Sequence, residues 1–265
     1  MYPVLFKIGI IKIYSFDVML PLGIIVACLI NLRHLILLRK KSSIDSIKNL
    51  LTTRQMIALY FYTWLWSMIG SWLLGIVWGI LINPYYRSNI NELLRPGSVS
   101  LISFGGFIGG ILAGFWYFKK NNLPALRNWD LVIVYLPLIR VIHRIGCFLN
   151  GCCKGKPTQM AIGVYYPCNN ITSYHPFPLY MAGFLMLIFL VLRSMRKKDY
   201  PDGFLLYFAF MFYFVGRFFI EFFRSEDYFV RVISVTMTQI SCIIGFVIFS
   251  ILFLKIIKLY SKRKI

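Results

Sequence analysis

Charge is scarce in this 265-residue chain: Asp, Glu, Lys and Arg together make up 14% of it, and only nine residues are acidic. With 59% hydrophobic residues and a mean hydropathy of +0.71, that scarcity excludes an ordinary soluble protein. Long polar tracts are missing as well. The longest polar connection, 151–176, is only a loop, so 1–265 reads as a single membrane domain. The alternation of a transmembrane β-barrel is absent. No internal repeat or pair of interrupted spans is visible, which weighs against a transporter built from inverted halves. An A-x-A-like site is lacking after the first apolar run, so that run is expected to stay as a helix.

What is present is a series of apolar runs at about 16–38, 56–83, 97–118, 129–150, 177–192, 203–223 and 233–254. They predict an all-α integral membrane protein with about seven transmembrane helices. The second run, with Trp64, Trp66, Trp72 and Trp78 and no charge, is long enough to tilt or to hold a re-entrant piece.

The basic residues set an orientation. Seventeen Lys and Arg fall in 39–55, 119–128, 193–202 and the tail from 255, while the N-terminal segment and the alternate loops carry eight. The positive-inside rule then places the N-terminus outside and the C-terminus inside. The net charge of +20 is therefore mostly a topology signal, and no nucleic-acid partner is expected.

Four arginines break the pattern by lying within apolar runs: Arg33, Arg140, Arg144 and Arg217. Charge inside a span is costly enough to mark a functional site. Arg144 lies 14 residues past Asp130, and Arg217 lies 15 past Asp202. At about 1.5 Å per residue, both sit roughly 21–22 Å from the same side of a core about 30 Å thick. With the two helices parallel, two cations meet at one depth in the outer half of the membrane. The abundant anion there is a lipid phosphate.

Neighbouring residues share these faces. Arg140, His143, Arg144, Cys147 and Gly151 follow helical spacing, as do Tyr213, Arg217, Glu221 and Arg224. Glu221 can pair with either arginine across one turn. A purely structural reading, ion pairs steadying buried helices, suits Arg140 best. In SFGGFIGGILAG, Gly106, Gly110 and Gly114 recur every four residues, a spacing that lets helices approach closely. The Gly105-Gly106 pair also offers bare backbone N–H groups to a phosphate.

Of the six cysteines, Cys28 and Cys242 lie in apolar runs and read as packing residues. Cys152, Cys153 and Cys168 fall on the outer side, with Cys147 just below. A Cys153–Cys168 bridge would close the loop, although connectivity stays open. These thiols with His175 lack the paired spacing of zinc frameworks, so no metal site is expected. A nucleophilic Cys147 is a further alternative, its thiolate favoured by Arg144.

The stretch R-I-G-C-F-L-N-G-C-C-K-G-K-P-T from Arg144 resembles the signature of bacterial prolipoprotein diacylglyceryl transferases, G-R-x-G-N-F-[IL]-N-x-E-x-x-G-R-P. SFGGFIGG resembles that family's S-F-H-G-G-L-I-G, and HPFPLY from His175 resembles H-P-[ST]-Q-L-Y-E. The stretch from Tyr213 resembles Y-x-x-x-R-F-x-x-E-F-x-R-x-x-D, with weaker echoes at Tyr14 and Gln239. The resemblance implies seven helices and transfer of diacylglyceryl from phosphatidylglycerol to the lipobox cysteine of a prolipoprotein signal peptide. Glycerol phosphate would leave outside a bacterial inner membrane, with no cofactor. Arg144 and Arg217 match the family's functional arginines, Glu221 its carboxylate, and Asn150, Gly151 and Gly155 its loop. Tyr14, Gly105, Gly106 and His175 join them as substrate contacts.

The departures are equally specific. Phe104 stands where the family has the histidine proposed to activate the thiol. Cys147 replaces an Asn, Cys152 a Glu and Lys156 an Arg, and Pro178 and Met181 alter the Q-L-Y-E end. His143 and His175 are the remaining candidates for a base. Retained Arg144, Arg217 and Glu221 favour an enzyme; Phe104 favours a lipid-binding or lipid-moving relative, or a transferase with another acceptor.

The division of charge predicts a labelling pattern. Single cysteines at Ser43 and Ser261, in a background cleared of native cysteines, should react only from the cytoplasm, and one at Ser88 only from outside. Labelling of Ser43 and Ser88 from the same side would contradict the seven-span arrangement.

Overall fold

The computed structural model describes residues 4–8, 11–41, 49–82, 103–166, 169–198, 200–225, 231–232 and 235–264. Cys168, Ser43 and Ser88 lie outside them. Strands β1 (Val4–Ile8) and β2 (Ile11–Tyr14) form an antiparallel ribbon leading into α1 (Ser15–Lys41). Next come α2 (Thr53–Ile82), α3 (Ser103–Lys120), α4 (Ala125–Ile133) and α5 (Leu136–Leu149). A second ribbon, β3 (Val164–Tyr166) with β4 (Asn169–Tyr174), precedes α6 (Phe177–Met195) and α7 (Phe204–Ile220). A single 3-10 turn, Glu221–Phe223, continues α7. The ribbon β5 (Arg231–Val232) with β6 (Val235–Thr236) then introduces α8 (Met237–Lys264).

The chain is thus a mostly helical, multi-pass membrane protein. Among the described residues α1, α2, α6, α7 and α8 are long and apolar enough to cross a membrane, and α4 with α5 makes a sixth span if the bent pair is counted as one. The 18-residue α3 is not among these, but its apolar run begins at 97, outside the described residues. The second run holds no re-entrant piece: α2 is one helix of 30 residues, about 45 Å long, and must tilt to fit a core of about 30 Å.

The run 129–150 departs from expectation by breaking between Ile133 and Leu136, with a bend of 40°. Pro137 is the cause. It has no N–H to offer the carbonyl four residues back, Ile133, and its ring conflicts with that carbonyl, so α4 ends there. The three ribbons also go beyond a purely helical reading. They pair backbone groups that short connections would otherwise leave bare.

Two compact units emerge, Met1–Arg33 with Trp129–Ile265, and His34–Asn128. In the second, α2 and α3 cross at glycines: a Cβ on Gly105 would collide with the Gly70 carbonyl, and one on Gly109 with that of Trp66. Thr52 and Gln55 form a reciprocal capping box at the start of α2, with bonds of 2.8 and 3.2 Å.

In the first unit α5 packs against α6, and α7 against both α6 and α8. Close approach of α1 and α5 needs Gly23, whose Cβ would meet the Ile139 backbone, and Gly146, which faces Met19. The weak echo at Gln239 proves to be a cap. Its side chain accepts from Thr236 N at 3.1 Å while its own N–H donates to Thr236 Oγ1, and Gln239 is buried.

Candidate active site

Two helices of the first unit carry the arginines, and a carboxylate ties their starting ends together. Asp130, on α4, accepts hydrogen bonds from Gly203 N at 2.7 Å and Leu206 N at 2.8 Å, the exposed donors at the N-terminus of α7. Gly203 supplies the left-handed turn, φ 90°, that opens α7. Arg144 lies 14 residues beyond Asp130 and Arg217 lies 14 beyond Gly203. Asp130 thus ties the start of α7 to α4, from which the bend at Pro137 leads into the helix of Arg144.

Arg217 is buried, and its Nη1 stands 2.6 Å from Glu221 Oε2. Glu221, only 1% exposed, gives its other oxygen to Arg224 at 3.2 Å. One carboxylate therefore serves two guanidiniums. Both also lie over the ring of Phe177, at 5.3 Å for Arg217 and 5.8 Å for Arg224. The stripe spacing anticipated the Glu221 pairs; the Phe177 platform had no counterpart in that pattern.

On α5, Arg144 has no carboxylate within ion-pair distance among the described residues, and its buried Nε has no hydrogen-bond partner. Arg140 lies within electrostatic reach of both Arg144 and Arg217. Read from sequence as structural, it belongs to the same cationic field. His143 is buried with its ring edge on Phe16, centroids 4.7 Å apart, and its Nδ1 is unpartnered.

The end of α5 is a Schellman motif. Cys152 N donates to Cys147 O and Gly151 N to Phe148 O, both at 3.1 Å, with Gly151 at φ 72° and Asn150 as the C-cap. This motif gathers three thiols: the ligand atoms of Cys147, Cys152 and Cys153 lie within 4.8 Å of one another. The Cys153 thiol is held well below its usual pKa by hydrogen bonds from Cys147 and Cys152, assisted by Arg144 and Arg224.

Beyond the thiols the chain threads a narrow joint. Gly155 N donates to His175 O at 3.0 Å, Lys156 N to Phe223 O at 2.9 Å, and His175 N to Lys156 O at 3.0 Å. A Cβ on Gly155 would collide with the Phe223 carbonyl and with His175, so glycine is required for this close approach. The loop after α5 is thereby fastened to the turn after Glu221. The His175 ring shares a hydrogen bond with the Tyr180 hydroxyl at 2.9 Å and packs on Phe223. It lines a hollow of about 300 Å³ with Met160, Ile162, Tyr180, Ile220 and Phe223.

Arg217, Glu221, Arg224, Gly155 and His175 are thus joined through contacts of α6, α7 and the loop, and Arg144, His143, Asn150 and Gly151 lie along one helix end. Tyr14 closes β2 opposite Val4 and is exposed. Gly105 and Gly106 belong to the second unit, where they face Gly70 and the serines Ser67 and Ser71 of α2.

The sequence matches the family model for prolipoprotein diacylglyceryl transferase over residues 3–255. The chain belongs to that family. A relative from Clostridium tetani, named phosphatidylglycerol–prolipoprotein diacylglyceryl transferase, is 32% identical over 85% of this chain and 86% of its own length. One of the same name from Wolbachia pipientis wMel is 32% identical over 85% and 83%, and one from Clostridioides difficile 34% over 61% and 63%. Within this family the two guanidiniums sharing Glu221 make a testable electrostatic unit. Glu221→Gln should lower the unfolding temperature in detergent, since breaking a buried pair costs about 3–5 kcal/mol. Arg224→Gln should cost less, because that side chain is 23% exposed against 0% for Glu221. Equal melting of wild type and Glu221→Gln would contradict the pairing.

Proposed function

We propose that this chain moves the diacylglyceryl group of phosphatidylglycerol onto the lipobox cysteine of an incoming prolipoprotein, at the outer face of a bacterial inner membrane. In this reading it spans the membrane seven times, N-terminus outside and C-terminus inside. The observation that carries the proposal is Arg144: a cation inside an apolar helix, its buried Nε without a hydrogen-bond partner and with no carboxylate of its own among the described residues. Such a charge calls for an external anion, and a guanidinium fork suits a phosphate.

The chemistry is a displacement at the lipid's sn-3 carbon. The acceptor sulfur forms a C–S bond there while the C–O bond to phosphorus breaks, its electron pair leaving on glycerol phosphate. The thiol proton passes to His175 or to water at the mouth of the site. Arg144 and Arg217 stabilise the charge that grows on the leaving oxygen. Glu221 holds Arg217 in place and also contacts Arg224. The hollow beside His175 is apolar enough for lipobox side chains. Tyr14, Gly105, Gly106, Asn150, Gly151 and Gly155 complete the proposed substrate contacts on the strength of the family resemblance.

The base is the point of divergence. With Phe104 in place of histidine and His143 enclosed against Phe16, we assign deprotonation to His175 or to water at the mouth of the site. Phe104 also favours a second reading, a lipid-binding relative without transfer chemistry. Purified protein supplied with labelled phosphatidylglycerol and a lipobox peptide separates the two. Release of glycerol phosphate with lipidation of the peptide is expected, reduced by about 100-fold or more in Arg144→Gln or Arg217→Gln and less in Arg140→Gln. Phe104→His should raise the rate. Retained lipid binding with no glycerol phosphate from wild type or Phe104→His would establish the second reading instead.

A further inference from the structure

The α5 terminus gathers three thiols that the displacement does not use. Cys147 occupies the last turn, and the Schellman bond from Cys152 N to Cys147 O folds the next cysteine back over it. Cys152 Sγ lies 3.4 Å from the same carbonyl. Cys153 then takes a left-handed backbone, φ 58°, uncommon for a side-chain-bearing residue, and this turns its sulfur toward the other two. The result is three sulfurs mutually within 4.8 Å, one buried and two half-buried. A metal bound to thiolates at about 2.3 Å holds its sulfurs roughly 3.8–4.0 Å apart. The cluster must therefore tighten by at most about 1 Å.

We propose that Cys147, Cys152 and Cys153 form a trithiolate site for a soft monovalent d10 cation of the Cu(I) type. Sulfur-only ligation, with no carboxylate or imidazole in the cluster among the described residues, selects a soft ion over Mg²⁺, Ca²⁺ or Mn²⁺. Coordination number selects a monovalent one. Three thiolates around a single positive charge leave −2, and Arg144 and Arg224 act electrostatically on this cluster. Arg144, with no carboxylate within ion-pair distance among the described residues, offsets part of that charge, and three coordinating sulfurs suit a three-coordinate d10 ion where Zn²⁺ takes four ligands. Each metal–sulfur bond forms as a thiol proton leaves to solvent, and nothing is oxidised or reduced. A disulfide between the adjacent Cys152 and Cys153 is disfavoured, because successive Cα atoms stand about 3.8 Å apart, short of the usual disulfide span. The sequence pattern had grouped Cys152, Cys153 and Cys168, with Cys147 just below, alongside His175 and, on their spacing, pointed to no metal. Cys147, hidden in an apolar run, is the ligand that the helix terminus supplies.

The test is independent of lipid turnover. Full-length protein in detergent, kept reduced with a phosphine under anaerobic conditions, is titrated with Cu(I) in competition with a chromophoric chelator. One equivalent should bind per chain with a sulfur-only X-ray absorption shell. Cys147→Ser, Cys152→Ser and Cys153→Ser should each weaken binding by about tenfold or more, whereas Cys28→Ser should not. In wild type, Cu(I) should protect all three thiols from alkylation, a count that needs no variant to fold. Absence of stoichiometric binding, wild-type affinity in any of the three variants, or alkylation of the three thiols unaffected by Cu(I) would overturn the proposal.

Discussion

One buried carboxylate holds the cationic centre of this protein together. Glu221 contacts Arg217 and Arg224 at once, and both guanidiniums lie over Phe177 at the start of α6. Removing charges from water into a helical membrane protein is tolerable only where they are paired or lead to a function. Among the described residues Arg144 has no carboxylate within ion-pair distance, and Arg140 adds further positive charge to the same field. An anion is therefore part of what this geometry requires, and membership of the prolipoprotein diacylglyceryl transferase family agrees with a phospholipid supplying it.

The surrounding scaffold sets where that anion must sit. Asp130, on α4, caps α7, while the bend at Pro137 separates α4 from the helix of Arg144. At the far end, Gly155 lets the loop after α5 approach the backbone of Phe223 and His175 closely enough to hydrogen-bond. Both ends of the arginine helices are thus fixed, one by a carboxylate and one by a glycine. Helices fixed at both ends need little rearrangement on binding, which favours a preorganised phosphate site.

Much of this was readable from residue order. Six of the seven apolar runs correspond to spanning helices or to the bent pair, because length and apolarity are local properties. The Glu221 ion pairs follow from i+3 and i+4 spacing, and the Schellman end of α5 follows from Asn150-Gly151. The break at Pro137 was visible in principle, since proline inside a run ends the helix four residues earlier. What spacing could not supply were contacts between elements: Asp130 reaching Gly203 across 73 positions, Phe177 beneath two arginines, and Gly105 against Gly70. Such contacts depend on which helices become neighbours. Cys147 illustrates the same limit: spacing placed it just below the outer cysteines, and only the turn at Gly151 shows two of those thiols folded back to it.

The central claim is that unpaired arginine charge selects an anionic phospholipid, and native mass spectrometry of the purified protein in mixed-lipid detergent micelles tests it most directly. Wild type should retain phosphatidylglycerol in preference to phosphatidylcholine, with the preference weakening as salt rises and vanishing in Arg144→Gln while that variant stays folded. Equal retention of the two lipids by wild type, or an unchanged preference in folded Arg144→Gln, would contradict the account.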